Sequence, residues 1–579
     1  MNQPSFDEKN IRLLGDIYPE IASGLSKFIQ SRKSKESTPL YLFKAGEGVV
    51  LCRESSESGG RWVHGPDDPL AQAQDFISEN DDAECGLIIV WQAGLGYAPR
   101  LLEQMDQNKR VIICESRYEL IWEWLCRWDC DAILNHERFY WIIQDDFEHK
   151  LMQLAREYPS LFKQGFKIIP GSVLTGMEKD RLKDVSDRIQ SSLTKTNSDD
   201  LHKVFMIMSQ SLEDIMPSVM RGAGQNGFHP LWKKRPLALS RFLSGINVWR
   251  ETCGCTPEIA LGFYGSYFSH EELKSMGRAG TSRVVWYYDN PETLFKGDEG
   301  EYYDLALTFD TGHLDVMKPV FGSKAKVLAP ATTFDDYEVQ GDFKYPINPV
   351  TYVGATGYRL SLPYLKQNPQ LFTKLAQVIR TVVQSHLGMD AKELLNLLIQ
   401  STLQFDPQQS AHFKWLVRQI SSSEIRKVFL ETAMPFGLTI FGDALWRDRN
   451  LVGGLTSAYA GTSLHYDSET PELYAASSIN LSICHTQLIH AASLRAYDVL
   501  ACGGFLLTEY RPAIEEQFEI GKDLDVFRTP QELAQKITFY LENEELRREI
   551  AAHGRATVLA NHTYRNRIAQ MIELLKDPR

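Results

Sequence analysis

Ser493-Leu-Arg-Ala-Tyr-Asp498-Val-Leu-Ala-Cys502-Gly503-Gly504-Phe-Leu-Leu-Thr508 is the stretch on which the reading of the fold turns. Its first ten residues predict a helix closed by a Cys-Gly-Gly cap, since glycine adopts the left-handed backbone of a helix end without strain. Residues 505–508 predict the strand that follows. Asp498 falls about one turn before the cap, which places a carboxylate beside a glycine-rich strand entrance. The expected location is the crevice at the carboxyl ends of the strands, where open α/β sheets bind ligands.

Working outward, the same alternation of short apolar runs with helical stretches recurs along the chain. Strands are expected at Leu438–Phe441 and 479–483, and amphipathic helices at Pro530–Glu542 and 545–560. A Gln- and Leu-rich helical block at 363–433 interrupts this last region, which opens at Thr351-Tyr-Val-Gly354. Upstream, strand-like runs at 203–209, 259–263, 284–287, Leu305–Thr308 and 326–328, with a helix-like stretch at 211–222, predict a second parallel sheet. Nearest the amino terminus, a β segment at 40–52 precedes Leu87–Trp91, the turn Gln92-Ala-Gly94-Leu-Gly96-Tyr97, a helix, and a run at 111–114 ending in Glu115. That is a Rossmann-like βαβ pattern, continued by Phe139–Ile143, 166–169 and a polar helix at 179–196. The polar stretch 194–200 marks a boundary. The expected division is 1–195, 196–345 and 346–579, all α/β.

A chain of 579 residues exceeds what one hydrophobic core serves, since single cores stop growing near ~250–300 residues. Its 43% hydrophobic and 24% charged residues are ordinary globular composition, which excludes a disordered chain. A formal net charge of −13 with only short basic clusters such as Lys233-Lys-Arg235 argues against nucleic acid as a partner. No apolar run approaches the ~20 residues that cross a bilayer, and the first ten residues are polar, so a cytoplasmic location without a transmembrane segment is expected. Nine cysteines without a second pair to complement Cys253-Gly-Cys255 predict reduced thiols and no structural metal.

The stretch around Asp498, together with Tyr474-Ala-Ala-Ser-Ser-Ile-Asn-Leu-Ser-Ile-Cys-His485 before it and Phe527-Arg-Thr-Pro-Gln-Glu after it, resembles the spore-maturation CgeB-like, glycosyltransferase-family-1-like proteins. His553-Gly-Arg555 and His562-Thr-Tyr-Arg-Asn-Arg567 resemble that family's closing helix, and Tyr352-Val-Gly354-Ala-Thr-Gly357-Tyr-Arg359, Ile440-Phe-Gly442-Asp443 and Trp286-Tyr-Tyr-Asp289-Asn-Pro291 resemble its earlier turns. The resemblance departs at Asp498, where the family commonly carries Glu. It implies a GT-B architecture, a pair of facing Rossmann-like domains, preceded here by a further Rossmann-like domain and carrying a helical insertion at 363–433 for acceptor-protein or oligomer contacts. His64-Gly-Pro-Asp-Asp-Pro69 with Gly94-Leu-Gly96 and Cys114-Glu115 resembles the motility-accessory-factor and MptE-like proteins, linked to flagellin glycosylation and to pterin pyrophosphorylation.

These resemblances imply transfer of a sugar from a nucleoside-diphosphate sugar to a hydroxyl of a protein or glycan, with no cofactor beyond the donor. Asp498 is expected to hold the ribose, with a solvated helix carboxylate as the plainer reading. Arg359 and Arg495 would neutralise the pyrophosphate, since a guanidinium gives permanently charged, bidentate contacts. Gly354, Gly357, Gly442, Asp443, Gly503 and Gly504 complete the expected donor site, with turn glycines and surface ion pairs as the alternative. Asp289 would be the general base of an inverting transferase, or simply a turn residue, and His485 a second catalytic candidate facing the cleft, or an ordinary core or surface histidine. Gly94, Gly96 and Glu115 form either a nucleotide site or a degenerate Rossmann turn used for assembly. The cluster Trp122-Glu-Trp124-Leu-Cys-Arg-Trp128 is expected to pack as core, because the three rings do not share one helix face. Asp523-Leu-Asp525, the one Asp-x-Asp weighed as a metal motif, is expected in a surface loop. Two rival classes stand beside the transferase: an enzyme using ATP or S-adenosylmethionine at Gly94–Gly96, and a non-catalytic scaffold of a glycosylation system.

Overall fold

The computed structural model describes the chain apart from residues 1–5, 34–39, 46–48, 55–60, 63–68, 79–84, 105–108, 145, 164, 173–175, 194–200, 210–213, 235–238, 240–241, 244–248, 250–254, 264–267, 292–297, 339–342, 359–360, 362–366, 407–410 and 577–579. The polar boundary at 194–200, the segment 64–68 and Arg359 therefore lie outside the described residues.

The fold class is α/β, with three Rossmann-like parallel-sheet units. By compactness the chain divides into two bodies: residues 1–210, 233–262 and 266–283, and residues 211–232, 263–265 and 284–579. In the first body β1 (Leu40–Ala45), β2 (Val49–Glu54) and β3 (Arg61–Trp62) form an antiparallel sheet, so the segment read as one β run is a hairpin. Its main sheet comprises β4 (Leu87–Trp91), β5 (Arg110–Glu115), β6 (Phe139–Ile143) and β7 (Phe166–Pro170), in the order β6-β5-β4-β7 and parallel throughout. Every residue of β4 and β6 is buried, as expected of parallel strands covered by helices on both faces. Trp124 stacks on Trp141 with ring centroids 4.8 Å apart, so the tryptophan cluster contributes to the core. In the same body β8 (Leu201–Ser209) pairs in parallel with β10 (Thr256–Phe263), not with β4; β9 is His229–Lys234, whose residues 229–232 belong to the second body.

In the second body β11 (Ser282–Tyr287), β12 (Leu305–Thr308) and β13 (Ala325–Val327) pair in parallel. The remaining sheet holds β14 (Val350–Val353), β15 (Leu438–Phe441), β16 (Ile479–Ser482), β17 (Leu506–Glu509) and β18 (Asp525–Phe527), in the order β15-β14-β16-β17-β18. All its pairings are parallel. From β14 the chain moves to one side for β15, then crosses back to the other side for β16. The topological switch point therefore lies between β14 and β16, and their carboxyl ends open the crevice that such sheets use for ligands.

The helical block between β14 and β15 consists of Pro369–His386, Ala391–Ser401 and Ala411–Ala433. Ser421, Ser422 and Ser423 are buried in the last of these, and Ser422 Oγ lies 2.8 Å from Thr486 Oγ1. Small side chains thus let this long helix lie against the loop that leaves β16. At the far end of the chain, Tyr564–Lys576 packs on Met216–Gln225, where a Cβ on Gly222 would come within 2.7 Å of the Tyr564 carbonyl. Arg567 fastens that closing helix by donating to the carbonyls of Ala329 and Pro330 at 2.8 and 2.9 Å.

Candidate functional site

The crevice is built on two glycines whose positions the backbone requires. A Cβ on Gly442, just after β15, would stand 2.1 Å from the Gly354 carbonyl oxygen and 2.8 Å from Trp446 Nε1. Trp446 Nε1 in turn donates to that carbonyl at 2.9 Å. Asp443 caps the short turn Ala444–Arg447 and accepts the Thr356 N–H at 2.8 Å, so the loops after β14 and β15 are tied together. Gly357 adopts φ +87°, the left-handed backbone that favours glycine, and turns the chain at the mouth of the crevice.

From the other side of the switch point, Arg495 lies in the first turn of the Leu494–Ala501 helix, which Ser493 caps. Its guanidinium sits 5.3 Å from the centroid of the Tyr352 ring on β14, and Nη1 reaches Ser482 Oγ at the end of β16 at 3.4 Å. His485, three residues beyond β16, accepts the Gln487 N–H on Nδ1 at 3.2 Å, which leaves its ring proton on Nε2. Burial, reinforced by the charges of Arg426 and Arg418, pushes its pKa down to about 4, so the ring is neutral at pH 7. Asp289 is exposed, and its Oδ1 accepts from Gln487 Nε2 at 3.2 Å. Gln487 thus links the two residues expected to be catalytic.

Asp498 is not the solvated helix carboxylate of the plainer reading. It is 2% exposed, and its Oδ1 accepts the Thr332 hydroxyl at 3.0 Å and the Thr333 N–H at 3.3 Å. Its Oδ2 accepts the Tyr466 hydroxyl at 2.7 Å. Burial raises its pKa to about 6, with the hydrogen bonds from Tyr466, Thr332 and Thr333 and the charge of Arg495 opposing the rise. The Leu494–Ala501 helix turns a buried face to the core here because Ala496, Tyr497, Asp498 and Val499 through Ala501 are all enclosed.

Gly503 and Gly504 are misplaced by the sequence reading. A helix joining two parallel strands runs back against them, so the end of Leu494–Ala501 lies at the amino edge of the sheet, opposite the crevice. There Gly503, at φ +75°, and Gly504 close the helix, donating to the carbonyls of Leu500 and Val499 at 2.9 and 3.0 Å. A Cβ on Gly504 would meet the Tyr474 carbonyl oxygen at 2.4 Å. Asp523 and Asp525 are likewise buried and not in a surface loop. Asp523 accepts from Thr557 at 2.8 Å and meets His553, while Asp525 takes Lys536 and Tyr540 at 2.9 and 2.8 Å.

The glycine turn of the first body is occupied by its own chain. Glu115 is fully buried, and its carboxylate accepts the N–H groups of Gly94, Ser116 and Arg117 at 2.8, 2.9 and 3.1 Å. A Cβ on Gly96 would come 2.1 Å from the Trp124 ring, so this glycine serves close packing.

Three groups escaped the sequence reading. Asp310, fully buried, accepts the successive N–H groups of Ile489, His490 and Ala491 at 2.8, 3.0 and 3.0 Å, and so anchors the loop that follows β16. Tyr466 holds Asp498 as described. Arg426, in the Ala411–Ala433 helix, donates from Nη1 to the Ala355 carbonyl at 2.8 Å, directly behind the Thr356-Gly357 turn. Nothing local in the sequence marks these three, because their neighbours come from distant segments.

Residues 418–573 match the family model described as Glycosyl transferase-like. The matched segment spans β15 to β18 and the Asp498 helix. No curated protein matches the chain. Among solved structures, sucrose-phosphate synthase from Thermosynechococcus elongatus shares 10% identity at TM-score 0.41, over 64% of this chain and 98% of that one. Anabaena HepE in complex with UDP shares 13% at TM-score 0.36, over 66% and 100% of the two chains. A glycosyltransferase from Rickettsia africae ESF-5 shares 10% at TM-score 0.35, over 65% and 98%. At such scores none of the three bears on what this chain does.

Proposed function

We propose that this chain is a glycosyltransferase that moves a sugar from a nucleoside-diphosphate sugar to a hydroxyl of a protein or surface glycan, without a metal or further cofactor. The observation that carries the reading is the glycosyl transferase-like segment 418–573, which supplies β15 to β18 of the sheet whose switch point opens the crevice. On this reading residues 1–195 are an accessory domain of the motility-accessory-factor or MptE-like kind, 196–345 the acceptor side, and 346–579 a CgeB-like donor side.

In the reaction the acceptor oxygen bonds to the anomeric carbon as the bond from that carbon to the diphosphate oxygen breaks. The negative charge that leaves with the diphosphate needs fixed positive groups. Arg495 and the Gly354–Gly357 turn stand at the crevice to meet it, and Arg359 follows that turn in sequence. Asp498 would hold the ribose. For an inverting enzyme, Asp289 or neutral His485 would take the acceptor proton. Glu115, already engaged by its own turn, supports an accessory rather than a nucleotide-binding role for the first sheet.

A thermal-shift screen of the full chain against nucleosides, nucleoside diphosphates and their sugars tests this. At least one sugar nucleotide at ~100 times its dissociation constant should stabilise the fold by about 2.7 kcal/mol. A response to ATP or S-adenosylmethionine alone, or to nothing, would remove the proposal.

A further inference from the structure

Among the described residues Arg426 is a buried cation without a counter-ion. Its side chain belongs to a residue only 8% exposed, it makes no ion pair among the described residues, and its Nε is buried with no hydrogen-bond partner there. A buried guanidinium with one neutral acceptor has lost its hydration and gained little in return, an arrangement that persists where an anion completes it. The position fits. Nη1 is bonded to the Ala355 carbonyl, and a Cβ on Gly357 would come within 3.0 Å of Nη1, so the charge lies against the turn that leaves β14. It also acts on His485 beyond β16. The two sides of the switch point therefore converge on this one arginine.

Resting on the transferase reading, we propose that Arg426 binds a phosphate oxygen of the donor's diphosphate, so that the helical block belongs to the donor site and not to acceptor or oligomer contacts. The buried run Ser421–Ser423 seats the helix against the Thr486 loop, and the guanidinium is thereby placed before the ligand arrives. A phosphate oxygen entering beside the 355–357 turn supplies the charge that the arginine lacks. The planar guanidinium fork suits phosphate better than the point charge of lysine does.

The test uses the full chain, its Arg426→Gln and Arg426→Lys variants, and three probe classes: inorganic pyrophosphate, UDP and GDP, and the matching nucleosides. Titration calorimetry should show Arg426→Gln weakening pyrophosphate and the responding nucleoside diphosphate at least tenfold, nucleoside binding changing less than twofold, and Arg426→Lys falling between. A merely structural arginine would move none of these selectively. The His485 ring resonance should also titrate at higher pH in Arg426→Gln, since one of the two arginine charges acting on it is gone. Equal binding of pyrophosphate and nucleoside diphosphate by wild type and Arg426→Gln overturns this inference and leaves the transferase reading standing. Pyrophosphate binding that depends on Arg426, with no response to any nucleoside diphosphate, upholds the anion site and overturns the nucleotide-sugar reading. No response of the wild type to any probe overturns both. If the Gln variant does not fold, the Lys variant decides by the same comparison, wild-type affinity for pyrophosphate counting against the inference.

Discussion

The Tyr466 hydroxyl donates to Oδ2 of Asp498 at 2.7 Å, on a carboxylate whose other oxygen already takes two donors. A carboxylate has about four acceptor sites, so one remains, and two ribose hydroxyls fit only if Tyr466 or Thr332 gives way. Asp498→Asn, which lacks the charge, should therefore lose ~1.5–3 kcal/mol of donor binding, a roughly ten- to hundredfold drop. Titration of the folded variant checks this, and unchanged affinity would take Asp498 out of the donor site.

The same substitution has a pH signature. Because burial lifts the folded pKa of Asp498 to about 6, above its unfolded value, the folded state holds the proton more tightly between roughly pH 4 and 6. The stabilising contribution of the protonated form is present below pH 4 and is lost as pH rises through 6. Relative to wild type, Asp498→Asn should gain on the order of 3 kcal/mol between pH 4 and pH 7. Urea unfolding at several pH values would show it, and a flat difference would mean the carboxylate is solvated.

His485 has the opposite sign. Its folded pKa of about 4 lies below the unfolded value, so its contribution is present above pH 6.5 and is lost as pH falls toward 4. His485→Gln should remove roughly 3 kcal/mol of the wild type's acid sensitivity across that window. If both proteins lose stability in parallel from pH 7 to 4.5, the ring is not buried against Arg426 and Arg418 as described.

Arg495→Ala should weaken nucleoside diphosphate binding by about tenfold while leaving the nucleoside almost unchanged, since a charge-assisted contact to phosphate contributes about 1.5–3 kcal/mol. Equal losses for both ligands would assign the residue to packing on Tyr352.

Gly442→Ala should cost about 2–4 kcal/mol, because its methyl group meets the Gly354 carbonyl oxygen at 2.1 Å and disturbs the Trp446 bond to that oxygen. Chemical denaturation of the variant measures it; near-wild-type stability would show that the β14 and β15 loops are not held against each other.

Much of the fold was legible in the sequence, since buried parallel strands appear as unbroken apolar runs. Phe139–Ile143, Leu305–Thr308 and Leu438–Phe441 match the reading residue for residue. The site was less so. Gly503 and Gly504 were read as ligand glycines because a helix cap and a phosphate turn look alike in sequence, and only the antiparallel run of the helix sends them to the opposite edge. Asp523 and Asp525 looked exposed because their partners Thr557, Lys536 and Tyr540 come from later helices. Arg426 and Asp310 could not be seen at all, as each gains its meaning from a loop far along the chain.

Hydrogen–deuterium exchange on the full chain, with and without a panel of nucleoside-diphosphate sugars, tests the central claim most directly. The account predicts that a sugar nucleotide slows exchange at residues 353–358 and 482–498, around the β14 and β16 ends, and leaves residues 92–117 unaffected. Protection confined to 92–117, or no protection with any sugar nucleotide, would contradict it.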